Sequence, residues 1–468
     1  MKDKKRRIEP FSFYDHSGIS RHFEKMAAKG WMIEELSNFG SIYKKIEPQE
    51  LHFSVTYYPK ASEFDPEPSE EQKRFYEFCE HTGWKLACYS AQMQIFYNEK
   101  ENPIPIETDP VIEVDIIHKA CQKNFLPAYA VLLLCSILNG ALFISRILGD
   151  PIGVLSSSAN LSTGCCWTML FVYCITELIN YFTWHKKALK AAEEGVFLET
   201  PNTSRLQKGL LFGVAVLFLY LIVTFIFMGD SLERTIYILS FLYMTALIYL
   251  GNAIKKFLKR KRTTAGTNRI ITFVSILVLS FAMMGGIVYF TLYGLNHGLF
   301  SEEKETYEHN GTTFTIHNDE LPLTVEDFLD VDYDKYIKER RGNESIFLSD
   351  FVMSQYARYN AINFDEIPTL DYRIVIVKVP FLYDWCKKDL YYTADKSMDN
   401  DWPNDMKSIY KSENPTPWKA TEAYRLFFTD GTPRYRYLLC YEDYLVDIEF
   451  DRELTPEQIA IVAEKLTQ

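Results

Sequence analysis

Five apolar runs organise the chain. They cover residues 125–148, 165–184, 209–228, 235–254 and 270–293, and short polar loops separate them. Each is about 20 residues or more, the length at which an α-helix crosses roughly 30 Å of hydrocarbon. No soluble domain needs five such runs in succession. The pattern therefore predicts an α-helical membrane bundle of five transmembrane helices across residues 125–295. On both sides the pattern turns to short mixed segments. An N-terminal α+β domain is expected at 1–98, a linker at 99–124 and a C-terminal α+β domain at 300–468.

The N-terminal segments alternate between two periods. Residues 21–29 have helical spacing and stop at Gly30, a common residue just past a helix end. Strands are expected at 31–36 and 41–46, with Asn38 and Gly40 in the turn, and at 51–58, where Phe53, Val55 and Tyr57 alternate with polar residues. A second helix at 72–81 stops at Gly83, and strands follow at 84–89 and 92–98. Gly30–Trp31 recurs as Gly83–Trp84, 53 residues on. At that offset Arg21 meets Arg74, Glu24 meets Glu77, Ser37 meets Ser90 and Ile42 meets Ile95. The expectation is an internal duplication of two α-β-β units whose strands share one sheet. Trp31 and Trp84 would be buried at equivalent helix–sheet seams. Pro103, Pro105 and Pro110 mark the linker, which ends in a helical stretch at 111–123.

Certain strings here are distinctive. They are Phe11 to Asp15, then Glu24 with Met26-Ala27-Ala28-Lys29-Gly30-Trp31, then Phe75, Tyr76, Cys79, Gly83 and Trp84. On these residues the N-terminal domain resembles the bacterial domain-of-unknown-function family 2812. The resemblance implies a Gram-positive setting, membrane helices behind the domain and neighbouring regulators of the PadR type. It implies no chemistry, because the family has no agreed activity.

Beyond the apolar runs, residues 312–316, 372–379, 424–428, 435–441 and 444–450 read as strands. Asp430-Gly431 lies in the loop between two of them, a hairpin signal. Thr324 is placed to cap a short helix at 325–329. Thr455, Pro456 and Gln458 form the opening of a last helix, with Gln458 able to complete a capping box. The expected form is a meander closed by a helix.

Charge sets the orientation. The chain carries a net −12, distributed unevenly. Residues 1–124 hold 17 basic and 21 acidic side chains, residues 125–299 hold 14 and 7, and residues 300–468 hold 19 and 34. Of the 14 basic residues in the apolar region, 12 fall in the two alternate loops at 185–208 and 255–269. Arg146 and Arg234 are the others. Basic loops stay cytoplasmic, so the N-terminus is expected inside and the C-terminal domain outside a cell membrane. Residues 1–10 are not followed by an apolar stretch, so no signal peptide is expected. The acidic C-terminal part speaks against nucleic acid as a direct partner.

Candidate chemistry is sparse. Glu177 and Asn180 lie within the second apolar run, where polar groups are costly and often functional. Glu177 is near enough to the inner edge to snorkel or to pair with an inner-loop lysine. Gly209 and Gly213 make a GxxxG motif that allows close helix approach. Asp395, Ser397, Asp399 and Asp401 have the spacing of a calcium loop, but Asn400 and Met406 replace its glycine and glutamate. Of nine cysteines, Cys135, Cys165, Cys166 and Cys174 lie in apolar runs. Cys386 and Cys440 fall outside, where a disulfide is an option. No nucleophile, metal or nucleotide motif appears, so no catalytic residue, metal or cofactor is expected. The leading expectation is a multi-pass membrane sensor or regulator, with a permease or transport accessory subunit as the alternative. Its partners would be membrane lipid, a cytoplasmic protein and a second copy of the chain. The aromatic residues Phe11, Phe13 and Tyr14, ahead of the first helix, are the candidate partner-binding anchors.

Overall fold

The computed structural model describes residues 3–9, 11–37, 40–201, 204–228, 231–297, 299, 305–330, 336–361, 367–396 and 408–467. The chain divides into two compact units, residues 1–138 with 166–300 and residues 139–165 with 301–468.

The first unit begins with β1 (Lys4–Arg7), α1 (His16–Ala27), β2 (Trp31–Ser37), β3 (Gly40–Lys45), β4 (His52–Tyr57), α2 (Glu70–His81), β5 (Lys85–Ser90) and β6 (Met93–Asn98). These make two antiparallel three-stranded sheets of identical topology, β1-β3-β2 and β4-β6-β5. Each repeat is thus β-α-β-β, with its last strand at the centre. Gly30 and Gly83 both end their helices at positive φ, 79° and 95°. Such backbone suits glycine because it has no Cβ to clash. The ladder of β2 on β3 shifts register between Ile33 and Glu35, and that of β5 on β6 between Leu86 and Cys88. The two bulges sit at the same offset as the glycines. The strands do not share one sheet as the sequence suggested. β2 and β5 lie side by side without a ladder, and each carries a bulge, which breaks regular pairing at a sheet edge.

Next come α3 (Pro110–Lys123), α4 (Phe125–Gly149), α5 (Pro151–Ser156), α6 (Ser158–Glu193), α7 (Ser204–Met228), α8 (Ser231–Arg260) and α9 (Ala265–Asn296). Among the described residues, α4, α6, α7, α8 and α9 are long and apolar enough to cross a membrane. They expose large apolar side chains such as Phe212, Phe273 and Phe281, a surface suited to lipid. Gly213 lets the thioether of Met169 on α6 approach to 3.2 Å of where a Cβ would sit, whereas Gly209 faces open space. The GxxxG motif therefore works at one of its two glycines. α3 is part of the N-terminal core and not a linker: Val114, Ile117, Ala120 and Cys121 pack with residues of α1, both sheets and α6.

The second unit holds α5 and a short hairpin of β7 (Thr306–His309) and β8 (Thr312–Thr315), whose turn residues Asn310 and Gly311 both have positive φ. α10 (Val325–Phe328) follows, with the Thr324 amide and hydroxyl donating to Asp327. The rest is built on one antiparallel seven-stranded sheet. Its strands are β9 (Tyr336–Glu344), β10 (Leu348–Ala357), β11 (Leu370–Val377), β12 (Ser408–Glu413), β13 (Glu422–Phe428), β14 (Pro433–Cys440) and β15 (Tyr444–Phe450), in the order β12-β13-β14-β15-β11-β10-β9. α11 (Tyr383–Lys396) links β11 to β12, and α12 (Pro456–Leu466) ends the unit. Both faces of the sheet are buried. Leu439, Val446 and Ile448 face α12, while Leu438, Cys440 and Leu445 face α11 and α5. The meander is therefore covered on two faces, not closed on one.

The α12 cap forms as its sequence predicts: Gln458 N–H donates to Thr455 Oγ1 at 3.3 Å and Thr455 N–H to Gln458 Oε1 at 2.8 Å. Cys386 and Cys440 are both buried free thiols. Burial pushes them up to about 12 and about 11, so they serve as small apolar core residues. The suggested calcium loop falls largely on residues 397–407, outside the described residues.

Candidate functional site

The carboxyl that stands out in the apolar region is engaged by two hydrogen bonds. Glu177 on α6 is 1% exposed. Ser12 Oγ donates to its Oε2 at 2.7 Å, and the Gln207 amide of α7 donates both to its Oε1 and to Ser12 Oγ. Among the described residues its partners are thus neutral donors, not an inner-loop lysine. A buried carboxyl without such bonds would be costly. Ser12 lies in the tight segment between β1 and α1, so the network fastens the N-terminal domain to two long helices at once. Asn180, half-buried one turn further along α6, is not part of it.

The residues flanking Ser12 extend the attachment. Tyr14 is fully buried, with its ring 5.7 Å from Phe125 of α4, and 5.3 Å and 5.7 Å from Tyr181 and Trp184 of α6. Phe11 packs edge-on against His22 and Phe23, and Phe13 packs on Tyr57. Neither Phe11 nor Phe13 is exposed. Of the three candidate anchors, Tyr14 is taken up by α4 and α6, whereas Phe11 and Phe13 are half-buried within the N-terminal domain. Asp15 caps α1 by accepting from Gly18 N–H at 3.0 Å, and it also accepts from the Thr200 hydroxyl. Thr200 in turn donates its N–H to Ser17 Oγ at 3.0 Å.

α3 forms the other wall. His118 stacks on His185 of α6 at 4.1 Å and meets the Tyr181 hydroxyl through Nδ1 at 2.6 Å. His16 Nε2 sits 3.4 Å from Glu113 Oε1. Burial holds the His16 ring down to about 4 and pushes the Glu113 carboxyl up to about 7, helped by Glu107. The contact is therefore between two neutral groups over much of the acid range.

Sequence reasoning singled out Glu177 and Tyr14 but not their partners. Glu177, Tyr181, Trp184, Ala188 and Ala192 recur at helical spacing on α6 and enter one junction. That stripe of large rings beside a carboxylate was the legible signal. Ser12, Thr200 and Gln207 carry no local signal, because their role depends on contacts across 165 or more positions, or across 30 for Gln207 with Glu177. The arrangement joins the segment before α1 to α4, α6 and α7.

Residues 16–128 match a family described as proteins of unknown function, DUF2812. The chain thus carries a DUF2812 domain at its N-terminal end, and the match runs through α3 to the first turn of α4. A search of curated proteins and a search of solved structures found no match.

Proposed function

We propose that this protein is a multi-pass membrane regulator that relays the state of its C-terminal sheet domain to its N-terminal duplicated domain. On this reading α4, α6, α7, α8 and α9 cross the membrane. The basic loops keep the N-terminal domain in the cytoplasm, and an odd number of crossings puts the sheet domain on the other side. One observation carries the relay. α4 and α6 form a helical hairpin whose turn, α5, is embedded in the core of the sheet unit through Ile152 and Leu155, with Ser345 Oγ donating to Leu155 O at 2.5 Å. The open end of the same hairpin, Phe125 with Tyr181, Trp184 and Ala188, lies in the core of the N-terminal domain. A helix held in a packed core at each end transmits displacement because such cores have discrete packings and do not deform continuously. Glu177 is engaged by Ser12 and Gln207, which favours a structural use over ion passage. The N-terminal domain then acts by binding a cytoplasmic protein.

The test is hydrogen exchange on the full-length protein in nanodiscs, comparing the parent with Ile152→Ala and Leu155→Ala. Loosened packing of α5 is expected to raise exchange within residues 110–123 and 177–192. A change confined to residues 139–165 and 301–467 would sink the relay.

A further inference from the structure

The first unit contains a cavity of about 950 Å³ beside the C-terminal half of α8. One face of α8 forms its long wall. Along that face the side chains grade from Ile248 and Tyr249, through Asn252, to Lys256, Lys259 and Arg260. These positions recur at helical spacing, and at 1.5 Å per residue the grade from Ile248 to Lys259 covers roughly 16 Å. The opposite wall comes from the duplicated domain and includes Glu35, Glu63 and Tyr89. The wall is fixed in place: buried Asn268 of α9 donates to Phe64 O at 3.0 Å, and Lys255 and Arg269 lie 5.8 Å and 5.5 Å from the Phe64 ring.

The charges do not balance. Lys255 pairs with Glu63 at 3.0 Å. Lys256, Lys259 and Arg260 then face only Glu35 among the charged lining residues. Three cations in a shaped cleft favour a phosphate group. A free anion would have no use for the apolar end of the wall at Ile248 and at Tyr249, which is 73% exposed. We infer that the cleft binds the headgroup of an anionic phospholipid, its phosphate against Lys256, Lys259 and Arg260 and its acyl chains along Ile248 and Tyr249. The inference rests on the reading that α8 crosses the membrane. It makes the joint between the duplicated domain and α8 sensitive to the charge of the surrounding leaflet, an attraction that acts near basic segments at a membrane surface.

The experiment uses the full-length protein in mild detergent. Native mass spectrometry reads binding of phosphatidylglycerol and phosphatidylcholine, each with and without inorganic phosphate as competitor. Phosphatidylglycerol is expected to bind more tightly, and phosphate at equal concentration to leave it in place. The combined change Lys256→Gln, Lys259→Gln and Arg260→Gln should weaken phosphatidylglycerol binding about a hundredfold, at roughly fivefold per lost charge. Should that variant fail to fold, Lys256→Gln and Arg260→Gln, both at exposed positions, are each expected to weaken it about fivefold. Equal binding of the two lipids, or unchanged binding by these variants, would overturn the inference. Displacement by inorganic phosphate would do the same and assign the cleft to a soluble anion. Flotation of the protein with phosphatidylcholine liposomes tests membrane insertion separately, so failure of the spanning reading is seen apart from failure of the lipid site.

Discussion

Glu177 illustrates how a single side chain can be conspicuous in a sequence without showing which groups will engage it. Its position in an apolar run pointed to a carboxyl in need of partners, met either by snorkelling or by an inner-loop lysine. Its hydrogen bonds instead come from Ser12 and Gln207. Glu177→Ala should therefore leave the Gln207 amide and Ser12 hydroxyl buried with fewer partners, and lower stability by about 1–3 kcal/mol. Glu177→Gln, which keeps one acceptor, should lower it less. Thermal melting of the full-length protein in detergent would show the order, and equal melting of both variants with the parent would remove the network from the joint. Glu113 gives a prediction in pH. Its carboxyl is raised from 4.5 to about 7, chiefly by burial. Between those values the folded chain keeps a proton that the unfolded chain releases, so this group makes stability fall as pH rises through the window. His16, lowered to about 4, acts in the opposite sense up to its ordinary value of 6.5. Glu113→Gln should remove the carboxyl's share and melt higher than the parent at pH 8, by on the order of 2–3 kcal/mol, with little difference at pH 4.5. A parent and variant that melt alike at both pH values would contradict the burial assigned to Glu113.

At the scale of elements, the duplication was readable and its sheet arrangement was not. Helix ends at Gly30 and Gly83, and the strands after them, are local signals. Whether two hairpins join in one sheet depends on edges, and bulges at β2 and β5 decide that here. The two tryptophans also diverge. Trp84 is 4% exposed and donates through Nε1 to Ile104 O at 2.8 Å. Trp31 is half-buried under Lys5, whose Nζ lies 5.2 Å from its ring. Trp84→Ala should cost about 3–5 kcal/mol, as for a buried large aromatic, and Trp31→Ala clearly less. Equal losses in the melting of the full chain would argue that the repeats bury their tryptophans alike. In the sheet unit, β13, β14 and β15 were legible because each is rich in aromatic and branched residues. β9 was not: Tyr336–Glu344 is dominated by charged residues, which an edge strand tolerates because it pairs on one side only. β7 escaped although Asn310-Gly311 is a hairpin turn signal, because Thr306–His309 sets charged and polar residues around a single Tyr307, whereas the equally short β8 is built from threonines and Phe314. α11 carries a helix interleaved with lysines and aspartates, whose buried face, including Leu382 just before it, Cys386 and Leu390, becomes apparent only against the sheet.

At the scale of the whole molecule, the apolar runs located the long helices because hydrophobic length is a local property. The domain limits were harder, since α3 follows a proline-rich stretch and its apolar positions belong to the core before it. Sidedness rests on charge alone. The two basic loops flank α7 and α8 at the ends away from residues 229–230, and they hold 12 of the 14 basic residues between 125 and 299. The same loops contribute Thr200 to the N-terminal joint and Lys255 to the contact with Glu63. The charge pattern and the packing thus associate the N-terminal domain with the same loops, and the domain must lie on the side where those loops remain. A phosphatase that matures only outside the cytoplasm is therefore expected to be active when fused after Gln468 and inactive when fused within the loop at 255–269. Swapping in a cytoplasmic reporter should invert the result. Activity of the phosphatase at the loop, or its silence after Gln468 in a stable fusion, would overturn the orientation and with it the direction of the proposed relay.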